Sequence, residues 1–208
     1  MEYKRIDKPM KHKSTDRIGA YLMLLLAAAQ IVLVLVSWLI TAAMPDSFPH
    51  SMLSAEGIRW FFGRFTENLA SPWLVWLLLV SIAWGALQAC GILRYDRTVY
   101  RQRIALRLVW IELAVFLLII ILLTMVPHAI LLNVMGGLLE SSFSRSILPY
   151  GCFVVIILSL SYGVMSNQLE SVEAMGEALS QGIRTTAPWF VVYILAVQFY
   201  SSVVYVMG

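Results

Sequence analysis

The stretch that decides the fold lies at residues 18–44 and reads IGAYLMLLLAAAQIVLVLVSWLITAAM. It contains no charged residue, and it is longer than the roughly 20 apolar residues with which a helix crosses a bilayer core about 30 Å thick. It also exceeds the apolar region of about 7–15 residues in a cleaved signal peptide. We therefore expect this segment to stay in the protein as a membrane-spanning signal anchor.

The composition of the whole chain agrees with that expectation. Of the 208 residues, 60% are hydrophobic and 13% are charged, whereas soluble proteins typically carry about 25% charged residues. A soluble chain of this length would need more polar surface than these residues provide. Composition therefore excludes a soluble enzyme, a disordered protein, a disulfide scaffold and a nucleic-acid binder, and leaves an integral membrane protein.

Four more apolar stretches of spanning length follow, and none shows the alternation of period two that is typical of a barrel strand. The five predicted spans lie at about residues 18–44, 73–93, 104–126, 147–165 and 187–207. The predicted fold class is an all-α integral membrane protein with about five transmembrane helices and two short amphipathic interfacial helices. The predicted domains are a cytoplasmic basic tail at residues 1–17 and a single transmembrane helical domain at residues 18–208.

Basic residues set the predicted orientation, because cytoplasmic loops of membrane proteins are enriched in Lys and Arg. Ten of the 15 basic residues lie in the tail and in the second loop. They are Lys4, Arg5, Lys8, Lys11, Lys13 and Arg17 in the tail, and Arg94, Arg97, Arg101 and Arg103 in the loop. The N-terminus is therefore predicted to be cytoplasmic, and five spans place the C-terminus outside.

The first amphipathic segment connects spans one and two. Ser54 can cap a helix there, and Glu56 is favourable in its first turn. The apolar residues that recur at helical spacing are Ile58, Phe61, Phe62, Phe65 and Leu69. This pattern predicts a helix lying in the outer interface of the membrane.

The second amphipathic segment connects spans four and five, where an apolar stripe alternates with glutamates. The stripe consists of Leu169, Val172, Gly176, Leu179 and Ile183. The pattern predicts a short helix on the cytoplasmic side, either a connector packed on its own bundle or a docking site for a partner.

The third loop, at about residues 127–146, is apolar for an exposed segment. We expect it to dip into the outer interface or to be covered by a neighbouring subunit.

Glu112 is the ionisable residue of interest inside a span, about 12 Å past the cytoplasmic edge of span three at 1.5 Å per residue. Ionisable residues in spans are costly and are therefore candidates for function. Two interpretations remain open. Glu112 is either a buried structural carboxyl or a group that couples transport to a proton or a substrate.

Other polar residues also fall within spans. Gln30, Gln88 and Gln198 are expected to form interhelical hydrogen bonds. Ser159, Ser161 and Tyr162 near the end of span four predict a small polar patch.

Catalytic and metal-binding patterns are absent from the sequence. Cys90 and Cys152 both lie in apolar runs, which favours buried small side chains over a disulfide framework. The three histidines are scattered without metal-ligand spacing. We therefore predict that the protein is not an enzyme and carries no catalytic residue, cofactor or metal site.

Two blocks of the sequence resemble a transporter family. The stretches concerned are SAEGIRW at 54–60, FTENL at 65–69, VP at 126–127, residues 148–163, EAMGEAL at 173–179 and AVQF at 196–199. They are similar to helices, and to the segments that connect them, in the aminobenzoyl-glutamate transporter (AbgT) family. The family's re-entrant hairpins, which form its substrate and ion site, have no counterpart here, so no binding residue carries over.

The resemblance implies a bacterial inner-membrane protein built from the family's scaffold helices, and the family's dimers imply a homodimer. Two functions remain open. The first is a scaffold-like or accessory subunit embedded in the lipid bilayer, which pairs with itself or with a partner membrane protein. The alternative is a small oligomeric transporter or substrate-binding membrane subunit for an aminobenzoyl-glutamate-like or other small carboxylate. Glu112 and the span-four hydroxyls would then line its site, and nucleic acid is not an expected partner.

Overall fold

The computed structural model describes residues 13–125 and 142–208, and throughout these ranges regular structure is helical. The helices are α1 (Lys13–Ala43), α2 (Ala55–Gly63), α3 (Phe65–Leu69), α4 (Pro72–Ala89), α5 (Tyr100–Met125), α6 (Ser142–Met165) and α7 (Val172–Met207). Five of them, α1 and α4 to α7, are long and apolar enough to cross a membrane. The predicted all-α class with five candidate spans is thus confirmed. Most of the basic tail and of the third loop lies outside the described residues.

Contacts divide the described chain into two compact units. The terminal unit contains the residues up to Leu74 together with Ala187–Gly208, and the central unit is Val75–Thr186. Helices α4 and α7 contribute residues to both units. The single transmembrane domain expected from the sequence stays a prediction.

In the terminal unit, α2 begins where the sequence predicted. Ser54 is its N-cap, and the Ser54 hydroxyl accepts a hydrogen bond of 3.0 Å from the backbone N–H of Gly57. The prediction of one continuous amphipathic helix is wrong, because α2 ends at Gly63 and α3 starts at Phe65. Gly63 favours this break, since glycine is a poor helix former.

The second predicted amphipathic helix is not a separate element. Helix α7 runs without interruption from Val172 to Met207, and Leu169 lies buried before it starts. The hydroxyls of Ser180 and Thr185 donate to backbone carbonyl oxygens four residues earlier, within the continuous helix. At 1.5 Å per residue α7 is about 54 Å long, so it exceeds a hydrocarbon core of about 30 Å.

In the central unit, α5 packs against α6. A small core joins Cys90, Ala105, Val109 and Tyr162. Towards the other end of the pair, the hydroxyl of Tyr150 donates to the carbonyl oxygen of Phe116 at 2.6 Å. Contacts of early α5 with late α6 and of late α5 with early α6 show that the two helices are antiparallel.

The turn after α6 explains how the chain reaches α7. Asn167 adopts a left-handed conformation with φ 63°, and the N–H groups of Gln168 and Leu169 both donate to the carbonyl oxygen of Gly163. This is a helix C-cap of the Schellman type. The Asn167 side chain also accepts a hydrogen bond of 3.0 Å from Arg101 at the start of α5, which ties the turn to that helix.

Helices α4 and α7 meet at backbone contact within the central unit. A β-carbon at Gly85 would overlap the backbone of Gly182, and one at Gly182 would overlap the backbone of Ser81. The Thr186 hydroxyl donates to the Ser81 hydroxyl at 2.7 Å beside this crossing. Small residues and short hydroxyl side chains at such a crossing are typical of helix packing in membranes.

Candidate functional site

Gln198, which the sequence placed in a span, lies buried on α7 in the terminal unit. Its side-chain oxygen accepts a hydrogen bond of 3.4 Å from the Asn68 amide of α3. One turn further, the buried Ser202 hydroxyl accepts from the Gln30 amide of α1 at 3.0 Å and donates to the Gln198 carbonyl oxygen at 2.7 Å. The interhelical hydrogen bonds expected of Gln30 and Gln198 are therefore confirmed.

Gln88 behaves differently from the other two glutamines. It is exposed, and it forms no hydrogen bond with the described residues. It lies one residue before the end of α4 at Ala89, where its amide can reach polar surroundings. The interhelical hydrogen bond expected of Gln88 therefore stays a prediction.

The polar patch expected at the end of α6 is mostly packed into the core of the central unit. Ser159 is 2% exposed and Tyr162 is fully buried, whereas Ser161 is half-buried. Among the described residues, the Tyr162 hydroxyl has no hydrogen-bond partner. The Cys90 thiol lies within hydrogen-bonding reach of Ser159, so this cluster is part of the helix packing around Cys90.

Glu112 lies on the same face of α5 as Val109 and Phe116, because steps of three and four residues return a helix to one face. That face packs on α6. One carboxylate oxygen of Glu112 is buried, and within residues 13–125 and 142–208 it has no hydrogen-bond partner. The structure does not join this oxygen to the Tyr162 hydroxyl, since neither atom has a partner.

The terminal unit carries a cleft that the sequence did not reveal, here called the aromatic cleft. It has a volume of about 550 Å³. It is lined by His50, Trp60, Arg64, Asn68, Tyr200, Ser201, Val204, Tyr205 and Gly208. Helices α2 and α3 form one wall, and the last turns of α7 form the other.

Tyr205 organises the aromatic wall of this cleft. Its ring stacks on Trp60, with ring centroids 4.3 Å apart, and on His50, with centroids 5.1 Å apart. The Tyr205 hydroxyl is buried and lacks a hydrogen-bond partner in the described part of the chain. Because this oxygen is closed off, Tyr205 offers its ring, and not its hydroxyl, to the cleft.

The polar wall of the cleft is built on the α2–α3 segment. Arg64 is exposed and pairs weakly with Glu67, with a nitrogen–oxygen distance of 3.8 Å. Asn68 lies one turn beyond Arg64 and links the cleft to Gln198. The cleft therefore combines one permanent cation, an amide and stacked aromatic rings.

A second cavity, here called the apolar groove, lies between α1 and α2 in the same unit. Its volume is about 260 Å³. It is lined by Gln30, Ile31, Val34, Leu35, Met52, Leu53, Ile58, Phe61 and Phe62. Gln30 is its one polar lining residue, and the side-chain oxygen of Gln30 is buried without a partner among the described residues.

Sequence reasoning missed the aromatic cleft because its two walls are far apart in the chain. One wall contains Trp60, Arg64 and Asn68, which follow one another at every fourth residue. The helix of the other wall carries Gln198 and Tyr205, which are seven residues apart. Each spacing places its set on one helix face. Each set also fits an ordinary interfacial or packing face. Only the pairing of α2–α3 with the end of α7 turns them into a site.

Comparisons with known proteins add no assignment: no family model, curated protein or solved structure matches the chain. No group of three His, Cys, Asp or Glu residues in the described ranges could hold a metal ion. The arrangement is suited to binding and packing. Its polar groups offer hydrogen bonds and one positive charge.

Proposed function

We propose that this multi-pass membrane protein is a scaffold-type or accessory subunit related to the AbgT family. It acts by assembling with a second membrane protein or a second copy of itself. The observation that carries the proposal is the crossing of α4 and α7, where backbone meets backbone at Gly85 and Gly182. Helices in such contact have no flexible side chains between them to absorb sliding, so the crossing suits a static support.

The spanning helices also leave much apolar surface available for assembly. In the most apolar window of α1 only 6% of the residues are buried, and in that of α5 only 11%. Lipid or another membrane helix can cover such surface. A subunit that works by association needs this kind of uncovered intramembrane face.

Within this proposal the protein lies in a bacterial inner membrane, with its N-terminus in the cytoplasm and its C-terminus outside. The ten basic residues of the tail and second loop support this orientation. Alkaline phosphatase, which is active only outside the cytoplasm, fused after Gly208 should be active, and fused within the second loop it should be inactive. The reverse pattern would overturn the orientation.

Assembly is tested on the full chain purified in mild detergent. Light scattering should report a mass above that of one 23.4 kDa chain, as a homodimer or with a co-purifying membrane protein. The same protein in liposomes should not take up radiolabelled aminobenzoyl-glutamate. A monomer that transports this compound would refute the scaffold proposal.

The second candidate is a small transporter or substrate-binding membrane subunit for a small carboxylate. The buried, unpartnered carboxylate oxygen of Glu112 favours it, because such groups in spans often serve proton or substrate coupling. In liposomes with a proton gradient, Glu112→Gln should then abolish uptake, while Glu177→Gln, at an exposed glutamate of α7, should not. Equal uptake by both variants would remove Glu112 from the mechanism.

A further inference from the structure

We infer that the aromatic cleft and the apolar groove together bind one phospholipid with a phosphoethanolamine headgroup. The headgroup occupies the cleft, and an acyl chain lies in the groove. This site goes beyond the scaffold proposal and does not depend on it.

The position of the cleft favours a lipid headgroup over a dissolved solute. Its α7 wall consists of residues from Tyr200 to Gly208, at the very end of a candidate spanning helix. The predicted fifth span, at about residues 187–207, ends here, which places the cleft at the level of the headgroups, where Trp and Tyr side chains are enriched. A headgroup is therefore present at high local concentration at the mouth of the cleft.

The charges around the cleft favour a headgroup that carries both signs. Arg64 and the Asn68 amide can donate to a phosphate, and Arg suits phosphate geometry. Glu67 lies 3.8 Å from Arg64, and Glu56 lies close enough to Tyr205 to act on it electrostatically. These carboxylates oppose a net anionic headgroup, but they can pair with the ammonium of phosphoethanolamine.

The two cavities lie on opposite sides of α2. Ile58, Phe61 and Phe62 face the apolar groove, whereas Trp60 and Arg64 face the aromatic cleft. This division follows from a helix rotation of about 100° per residue. A phospholipid that straddles α2 places its acyl chain against the apolar residues and its phosphate beside Arg64.

The test uses native mass spectrometry of the full chain after delipidation. Phosphatidylethanolamine, phosphatidylglycerol and phosphatidylcholine with the same acyl chains are added in equal amounts. We expect preferential retention of one phosphatidylethanolamine molecule. Equal retention of all three lipids, or preference for either of the others, would overturn the assignment.

Two arginines of α2 and its C-terminal boundary give a matched pair of variants. Arg64→Gln should lower retention of phosphatidylethanolamine about tenfold, as expected for loss of a charge-assisted hydrogen bond. Arg59→Gln should leave retention unchanged, because Arg59 is exposed and does not line the cleft. Both arginines are exposed, so both variants should fold. Equal effects of the two substitutions would refute the role of the cleft.

The groove is tested separately. Phe62→Ser should lower lipid retention several-fold, because Phe62 lines the groove and is 73% exposed, so its loss spares the core. Soluble glycerophosphoethanolamine should compete only at far higher concentration than the lipid. Competition at equal concentration would show that the acyl chain contributes nothing, and the lipid assignment would fall.

Discussion

Gly182 on α7 lies directly against the backbone carbonyl of Ser81 on α4, with no room between them for a methyl group. This contact sets the approach of the two helices in the central unit. Among the glycines that the structure describes, an added β-carbon comes nearest to a neighbouring atom at Gly182.

Gly182→Ala should destabilise the protein by about 1–3 kcal/mol, because an added methyl forces the two backbones apart. Thermal unfolding in detergent measures this change. Gly176→Ala on the same helix is the control, since a β-carbon there meets nothing within 4 Å. The control should gain about 0.5–1 kcal/mol from helix propensity. Equal changes in the unfolding temperature of the two variants would show that the Gly182–Ser81 contact does not limit the size of the side chain at position 182.

Tyr205→Phe should leave stability unchanged or slightly raised, because the lost hydroxyl is buried without a partner among the described residues. Tyr205→Leu should cost about 0.5–1.5 kcal/mol through loss of ring stacking on Trp60. Thermal unfolding of the two variants side by side separates the contribution of the hydroxyl to stability from that of the ring. A clear loss of stability in Tyr205→Phe would show that the hydroxyl is engaged.

Ser54→Ala should weaken the start of α2 by about 1 kcal/mol, because the Gly57 N–H loses its acceptor. Hydrogen exchange of the Gly57 amide should accelerate accordingly. Ser54→Asp keeps an acceptor and should preserve protection. If alanine and aspartate exchange alike, the cap does not stabilise α2.

The loop before α5 should respond to acid. The N–H and hydroxyl of Thr98 both donate to Asp96, and these bonds lower the pKa of the Asp96 carboxyl below its ordinary value. Because the pKa is lower in the folded chain, the carboxylate stabilises the loop above the ordinary carboxyl pKa. This stabilisation is lost as pH falls through the lowered value.

Thr98→Val removes the hydroxyl donor and should raise the pKa of Asp96 towards its ordinary value. NMR of the labelled protein in detergent follows this titration through the Asp96 side-chain carboxyl carbon. Thr185→Val is the control, because the Thr185 hydroxyl donates to the carbonyl oxygen of Gln181 within α7, away from Asp96 in sequence. An unchanged Asp96 titration in Thr98→Val would exclude the hydroxyl as a cause.

The sequence predicted those features that depend on local composition. The run at residues 18–44 already contained enough apolar length for a span, and the other four spans followed from the same criterion. Ser54 was identifiable as a cap because capping joins residues three apart. The apolar pattern did not show that the first amphipathic segment divides at Gly63. It also did not show that the second continues into α7. Both outcomes depend on small differences in local helix stability.

The sequence by itself determined an all-helical chain with five candidate spans, because a long apolar run that crosses lipid must satisfy its backbone polar groups within a helix. Only the tertiary structure decided which polar residues meet. It separated Gln198, joined to Asn68, from exposed Gln88, and it brought Tyr205 onto Trp60. The two residues of each contacting pair, Asn68 with Gln198 and Trp60 with Tyr205, lie more than a hundred residues apart in the chain. Their contact depends on helix crossing and rotation, which apolar patterns of similar strength on every side of a helix do not specify.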